Sequence, residues 1–273
     1  MRVVLLGTGS PLPDPQRAGP STLVQAGGAN LLVDCGRAVL MRLSAAGLGA
    51  SQLAALLVTH LHSDHLTDLG DLITTRWVTT FAPSPLEIVG PPRIREVVDG
   101  VRASVAPDVE YRLAHHDDLT WEPPVNVREI TGGEAWVGGD VRVVAAPTEH
   151  RPASPSLAYR VEHAGGTVVV AGDTVPCPPL DRLAGGADVL VHTVVRDDLI
   201  RAAPVPRLQD VIDYHSSVAQ AAQTAARAGV GTLVLTHQVP APGPDDDEVW
   251  REQAAEHFGG RIVVGRDLVA VEV

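Results

Sequence analysis

The sequence predicts an α/β fold of the α+β kind, with two mixed β-sheets packed face to face and helices over both outer faces. Short runs rich in Val, Leu and Ile, broken by Gly, Pro and Asp, recur along the whole chain, as buried strands require. Pairs of adjacent strands at the start, middle and end favour mixed sheets over a doubly wound parallel one. Helical periodicity is clear in only a few stretches between them.

The expected strands are Arg2–Leu6, Ser21–Gln25, Asn30–Asp34, Ala55–Thr59, Leu86–Val89, Val141–Ala145, Leu157–Val161, Thr167–Ala171, Val189–Val191, Thr232–Leu235, Arg261–Val264 and Leu268–Val273. The clearest helix covers Ser217–Ala228, where Val218, Ala221, Ala222, Ala225 and Ala226 share one stripe, Ser216 can cap the start and Gly229 ends it. A second covers about Asp245–Phe258. Its first turn holds Asp245, Asp246, Asp247 and Glu248, which complement the positive end of the helix, and Val249, Trp250, Ala254 and Phe258 supply the buried side. The acidic run is therefore read as a solvated helix start, not a metal site. Asp71–Val78 and Gly36–Ala46 are less periodic helical segments, and Pro83–Pro92 reads as a loop around a short strand. No composition break or tandem repeat divides the chain, so residues 1–273 are expected to form one domain.

Composition excludes several classes. All 21 basic side chains are Arg and Lys is absent, which rules out Schiff-base enzymes and Walker-type phosphate loops. The net charge of −12 repels phosphate backbones, so nucleic-acid binding would need a local basic patch or a metal. Cys35 and Cys177 make neither a zinc knuckle nor a disulfide framework, and a reducing cytoplasm is expected. Val3–Leu6 is too short for the core of an export signal, and no apolar segment approaches the roughly 20 residues that cross a bilayer.

The informative stretch is Leu56-Leu57-Val58-Thr59-His60-Leu61-His62-Ser63-Asp64-His65. An apolar strand runs straight into four donors spaced His-x-His-x-Asp-His. In an extended segment His60 and His62 project to the same face and can share one ion, and the turn that follows brings Asp64 and His65 round to a second. Imidazole and carboxylate donors suit zinc, manganese or iron. Three more donors end or follow apolar strands: His150 after Val141–Ala145, Asp173 after Thr167–Ala171 and His237 after Leu233–Leu235. Strand ends converging on one rim can complete two metal spheres, with a carboxylate such as Asp173 giving one oxygen to each cation.

At these positions the sequence resembles the metallo-β-lactamase superfamily over nearly its whole length. Leu-Leu-Gly-Thr-Gly-Ser at 5–10, Val-Asp-Cys-Gly at 33–36 and His-Ser-Ser-Val-Ala-Gln-Ala-Ala at 215–222 look like its ribonuclease Z and arylsulfatase-like branch. The resemblance implies a four-layer αββα sandwich and cleavage of phosphodiester or related ester bonds. It also implies His60, His62 and His150 on one zinc, Asp64, His65 and His237 on the other, and Asp173 bridging. Two departures count against tRNA 3′-end processing. Asp173 follows His150 by only 23 positions, already filled by two strands, so the family's tRNA-gripping arm has no room. Where the family has His-Glu-Ala-Thr, this chain has His192-Thr193-Val194-Val195, without the relay Glu.

The function expected from these readings is that of a dinuclear metal-dependent phosphodiesterase acting on a small or nucleotide-like substrate. Nucleic acid and membrane are not expected partners, and a homodimer is the assembly the branch suggests. Two adjacent cations would lower the pKa of a shared water and stabilise charge on the attacked oxygen. Asp64 would orient that water and accept its proton. His215, before a helix start whose free N–H groups favour an anion, would bind the oxyanion or protonate the leaving oxygen. The alternatives are hydrolysis of a carboxylic ester, lactone or lactam at the same site, and a non-catalytic metal or ligand carrier. Gly7-Thr8-Gly9 reads as a tight turn near the site, Asp34 as a buried acceptor for loop N–H groups, His115-His116 as surface and Trp77 as a core contact.

Overall fold

The architecture, taken from a computed structural model, is described for residues 1–243 and 245–273. The first sheet begins with β1 (Arg2–Gly7), β2 (Ser21–Ala26) and β3 (Ala29–Val33), paired antiparallel, and continues in parallel through β4 (Ala55–Leu57), β5 (Leu86–Gly90) and β6 (Val125–Glu129). The second runs antiparallel through β7 (Gly133–Gly138), β8 (Val141–Thr148), β9 (Ser156–His163) and β10 (Gly166–Ala171). It then runs in parallel through β11 (Val189–Val195), β12 (Thr232–Val239) and β13 (Arg261–Val264). The last strand, β14 (Ala270–Glu272), returns to the first sheet beside β1, so each sheet has seven strands among the described residues.

Period-2 alternation explains the layering. Leu31 and Val33 of β3 face Val168 and Val170 of β10 and Val234 of β12 in the core between the sheets. The alternate residues turn outward under helices. Leu32 lies with residues of α1 (Val39–Ala45), α2 (Leu69–Val78) and α3 (Ile94–His115). Val169, Leu233 and Leu235 lie with α4 (Pro178–Leu183), and two later helices complete that outer face. Short α5 (Asp197–Ala202) and α6 (Pro206–Gln209) precede α7 (Val218–Ala228), and α8 (Asp247–Ala255) follows β12. Helix, sheet, sheet, helix is the expected order of layers.

Local details depart from the sequence reading. The cap of α7 is Ser217, not Ser216: its Oγ accepts from Gln220 N at 3.2 Å and the Gln220 side chain accepts from Ser217 N at 2.9 Å. Ser216 Oγ instead donates to the Thr174 carbonyl at 2.8 Å, while Gly229 ends the helix at φ +64° as expected. Helix α8 is shorter than Asp245–Phe258, and Val249 faces solvent while Trp250, Ala254 and Phe258 are buried. The two C-terminal strands go to different sheets. The 22-residue α3 was not expected, because Gly100 and Pro107 interrupt it and only Ile94, Val98 and Val109 are buried.

Candidate metal centre

The donors collect where the parallel strands of both sheets end, the usual position of sites in α/β folds. From the first sheet, β4 ends at Leu57 and the chain runs extended through Thr59 and His60. A single 3₁₀ turn, Ser63–His65, then folds Asp64 and His65 inward. From the second sheet come His150 after β8, Asp173 after β10 and His237 in β12 itself. Gly172 permits the approach of the two sheets: a Cβ there would lie 2.6 Å from Thr59 Cβ and 2.9 Å from the Leu157 carbonyl. His237 adopts φ +48° and Asp34 φ +61°, left-handed backbone that side-chain-bearing residues rarely take and that concentrates at functional sites.

One donor atom each from His60, His62, His150 and Asp173 lies within 4.8 Å of the others, and the same holds for Asp64, His65 and His237. Asp173 Oδ2 stands between the groups. It is 3.7 Å from His60 Nε2, 3.7 Å from His150 Nε2, 3.5 Å from His65 Nε2 and 3.4 Å from His237 Nε2. Among these donors only His62 is exposed; the rest are buried.

The surrounding hydrogen bonds assign the tautomers. Thr59 donates its N–H and hydroxyl to Asp34 Oδ1 and Oδ2, both at 2.8 Å. With that hydroxyl committed, His60 Nδ1–H donates to Thr59 Oγ1 at 3.0 Å. His65 Nδ1–H donates to Asp34 Oδ2 at 2.7 Å and His150 Nδ1–H to the Tyr214 carbonyl at 2.7 Å. Each ring therefore presents the lone pair of Nε2 to the cluster. His60 Nε2 and His150 Nε2 stand 3.0 and 3.2 Å from His62 Nδ1, and a single Nδ1–H cannot satisfy both. His65 Nε2 and Asp173 Oδ1 are buried without a hydrogen-bond partner. Convergent lone pairs and orphaned buried acceptors are what a divalent cation satisfies, and the cluster fits one.

Electrostatics agree. Burial, reinforced by His65, pushes the His60 imidazole well below its usual value; burial likewise lowers His62, and His150 falls to about 4. For Asp173 burial acts upward, but the imidazoles of His237, His65 and His215 outweigh it and hold the carboxyl well below its usual range. Burial also acts upward on Asp64, and the hydrogen bond from His237 with the nearby imidazoles outweighs it. Burial would lower His65 and His237, yet Asp34 and Asp173 raise the first, and Asp173 and Asp64 the second.

His215, expected to act on the substrate, stands beside the cluster: its Nε2 lies 3.1 Å from Asp173 Oδ2 and its Nδ1 3.0 Å from the Val211 carbonyl. The free helix N–H groups expected beside it are partly taken by the Ser217 and Gln220 capping box. Asp34 does accept a loop N–H, and it also orients His65, a task its strand-end position hinted at but did not specify. His192 is buried, its Nδ1 2.7 Å from the Thr193 carbonyl, and burial lowers its pKa to about 4. Trp77 is a core residue whose Nε1 donates to the Trp121 carbonyl, and His115 and His116 are on the surface.

Sequence reasoning missed Tyr214, whose carbonyl holds His150, and a support behind His237. Buried Arg17 donates to Gln238 Oε1 at 2.5 Å and Thr8 Oγ1 at 2.9 Å. Asp267 accepts from Thr8 N and Oγ1, Ala18 N and Arg42 Nε at 2.7 to 3.0 Å. The Gly7-Thr8-Gly9 turn thus lies behind the site and braces it. At the cluster opens a cleft of about 360 Å³, whose lining includes His62, Asp64, Asp173, His215 and His237.

Comparison with known proteins gives three findings. A family model described as a β-lactamase superfamily domain matches residues 29–238. A protein of Mycolicibacterium gilvum (strain PYR-GCK) named Ribonuclease Z is 57% identical over 275 aligned residues, covering 100% of this chain and 96% of that protein. Two solved structures share the fold. The metallo-β-lactamase fold protein YhfI from Bacillus subtilis has a TM-score of 0.78 at 24% identity, covering 100% of this chain and 98% of that one. Human tRNase Z, short form, has a TM-score of 0.73 at 22% identity, covering 100% and 99%. Among the described residues no helix is long and apolar enough to cross a membrane.

Proposed function

Because the chain belongs to the metallo-β-lactamase superfamily and to its ribonuclease Z family, and is a metal-dependent hydrolase, we propose that it cleaves phosphodiester bonds in RNA. The observation that carries a dinuclear site is the place of Asp173 Oδ2, within 3.7 Å of imidazole nitrogens from both donor groups. In this reading His60, His62 and His150 hold one cation, Asp64, His65 and His237 the other, and Asp173 is shared. Zinc is the first candidate for this donor set, with manganese and iron also suited.

When bound, the cations make a water acidic enough to attack near neutral pH and stabilise the charge that builds on the phosphoryl oxygens. The chain's own residues handle the protons. Asp64, kept ionised, orients the attacking water and accepts its proton. His215, held through Nδ1 at 3.0 Å from the Val211 carbonyl, turns Nε2 toward the cluster and is the group placed to give a proton to the departing ribose oxygen. Asp173 Oδ2, 3.1 Å from that nitrogen, fixes the direction in which the ring points.

The choice of RNA revises the sequence expectation that nucleic acid is not a partner. The arm is indeed absent between His150 and Asp173, where β9 and β10 form a hairpin turning at Ala164 and Gly165. Yet the Mycolicibacterium gilvum relative aligns over 96% of its own length with this chain, which leaves no room for a long arm there either. Lack of the arm therefore does not argue against the same activity. A second reading, a small nucleotide diester as substrate, is favoured by the cleft: among its described lining residues there is no Arg.

The test sets the metal-loaded chain against a tRNA precursor with a 3′ trailer, bis(p-nitrophenyl) phosphate and a panel of lactones and carboxylic esters. Cleavage of the precursor at one position is expected. Hydrolysis of the small diester alone would select the second reading, and activity confined to the panel would overturn both. His215→Ala should lower turnover on the precursor by about 100-fold with metal content unchanged; full activity in that variant would remove His215 from the mechanism.

A further inference from the structure

The lining of the cleft is of two kinds. Besides the polar donors it includes Leu12, Leu208, Val211, Tyr214 and Val239. Leu12 is 66% and Leu208 47% exposed, high values for leucines beside a polar centre. The chain carries a net charge of −12, and no Arg is among the described residues that line the cleft. Contact with the apolar residues is therefore a source of affinity for the part of a substrate that carries no phosphate.

Tyr214 stands where the two kinds of lining meet. Its ring centroid is 4.8 Å from that of His215 and 5.4 Å from that of His150, and the residue is half-buried, with an accessible part in the cleft. We propose that this wall is a nucleobase subsite in which Tyr214 is the stacking platform and Leu208 closes the pocket over the base. A base lying there is within one nucleotide's reach of a phosphate at the cluster. Stacking on an aromatic side chain contributes about 1–3 kcal/mol per base and tolerates any base, because each has a π-face. The wall thus selects a phosphodiester by the nucleoside it carries, whereas the cluster handles the phosphate. The inference rests on the phosphodiesterase reading for its biological meaning, but its test does not.

Isothermal titration of the metal-loaded full chain with adenosine 5′-monophosphate and with ribose 5-phosphate isolates the base, since the two share phosphate and sugar. The nucleotide should bind about tenfold more tightly. Tyr214→Leu should bring the ratio close to one and Tyr214→Phe should keep it, with metal content checked in each. Because it is the Tyr214 carbonyl that holds His150, side-chain replacement should leave the cluster loaded. Leu208→Ser, which replaces no metal donor, should lower the ratio about threefold. Equal affinity for the two probes, no binding of either, or a full ratio in Tyr214→Leu would overturn the subsite. A preserved nucleotide preference with no cleavage of either the tRNA precursor or thymidine 5′-(p-nitrophenyl phosphate) would sink the phosphodiesterase reading and leave the subsite standing.

Discussion

Asp34→Asn tests how the second donor group is tuned. Asp34 accepts three hydrogen bonds, from Thr59 N at 2.8 Å, Thr59 Oγ1 at 2.8 Å and His65 Nδ1 at 2.7 Å. Asn keeps the shape, and like Asp it tolerates the left-handed backbone at this position, φ +61°. One oxygen still accepts from Thr59 N. The other becomes an NH₂ group, to which the Thr59 hydroxyl can adapt by rotating. His65 adapts only by moving its proton from Nδ1 to Nε2, the atom whose lone pair faces the cluster. Loss of an outer-shell partner of this kind weakens metal binding about 10- to 100-fold, equivalent to about 1.4–2.7 kcal/mol. Titration against a chromophoric chelator should therefore show one cation held nearly as in the parent and the other weakened by that factor. Thermal melting of the metal-free proteins should differ little. Both cations bound at parental affinity would refute the role assigned to Asp34.

Three further outcomes follow from the same geometry. Gly172→Ala places a methyl 2.6 Å from Thr59 Cβ, so the ends of the two sheets must part and carry Asp173 with them; activity should fall at least about tenfold, measured beside metal stoichiometry. Trp250→Ala empties a fully buried site under α7 and β12 and should cost about 3–5 kcal/mol in urea denaturation; a loss below about 1 kcal/mol would contradict the packing described. Cleavage of RNA should depend weakly on salt, with log(kcat/KM) against log[salt] no steeper than about −2, because no Arg is among the described residues that line the cleft. A slope beyond about −4 would reveal a basic groove away from the cleft.

Much of this was legible in the sequence because its signal is local. β3, β10 and β12 announce themselves through Val and Leu runs, and His60 to His65 sit side by side after one of them. His150, Asp173 and His237 could be found because each follows such a run. Contacts between distant segments left no such trace. The Tyr214 carbonyl meets His150 across 64 positions, and Arg17, an unremarkable residue in a loop, reaches Gln238 across 221. Helix α3 was hidden because its buried residues are few and a proline interrupts it. Ser216 and Ser217 are equivalent to a capping rule, and only tertiary bonding to Thr174 distinguishes them.

The donors are shared between the halves of the sandwich: four follow β4 in one sheet, and His150, Asp173 and His237 belong to the other. Ions seated there would rivet the halves together at one rim, and the halves could not separate without releasing them. Each such cation at a hundred times its dissociation constant would add about 2.7 kcal/mol against unfolding. Durability and catalysis would then draw on the same atoms, and a cell short of metal would meet a more fragile protein as well as an idle one.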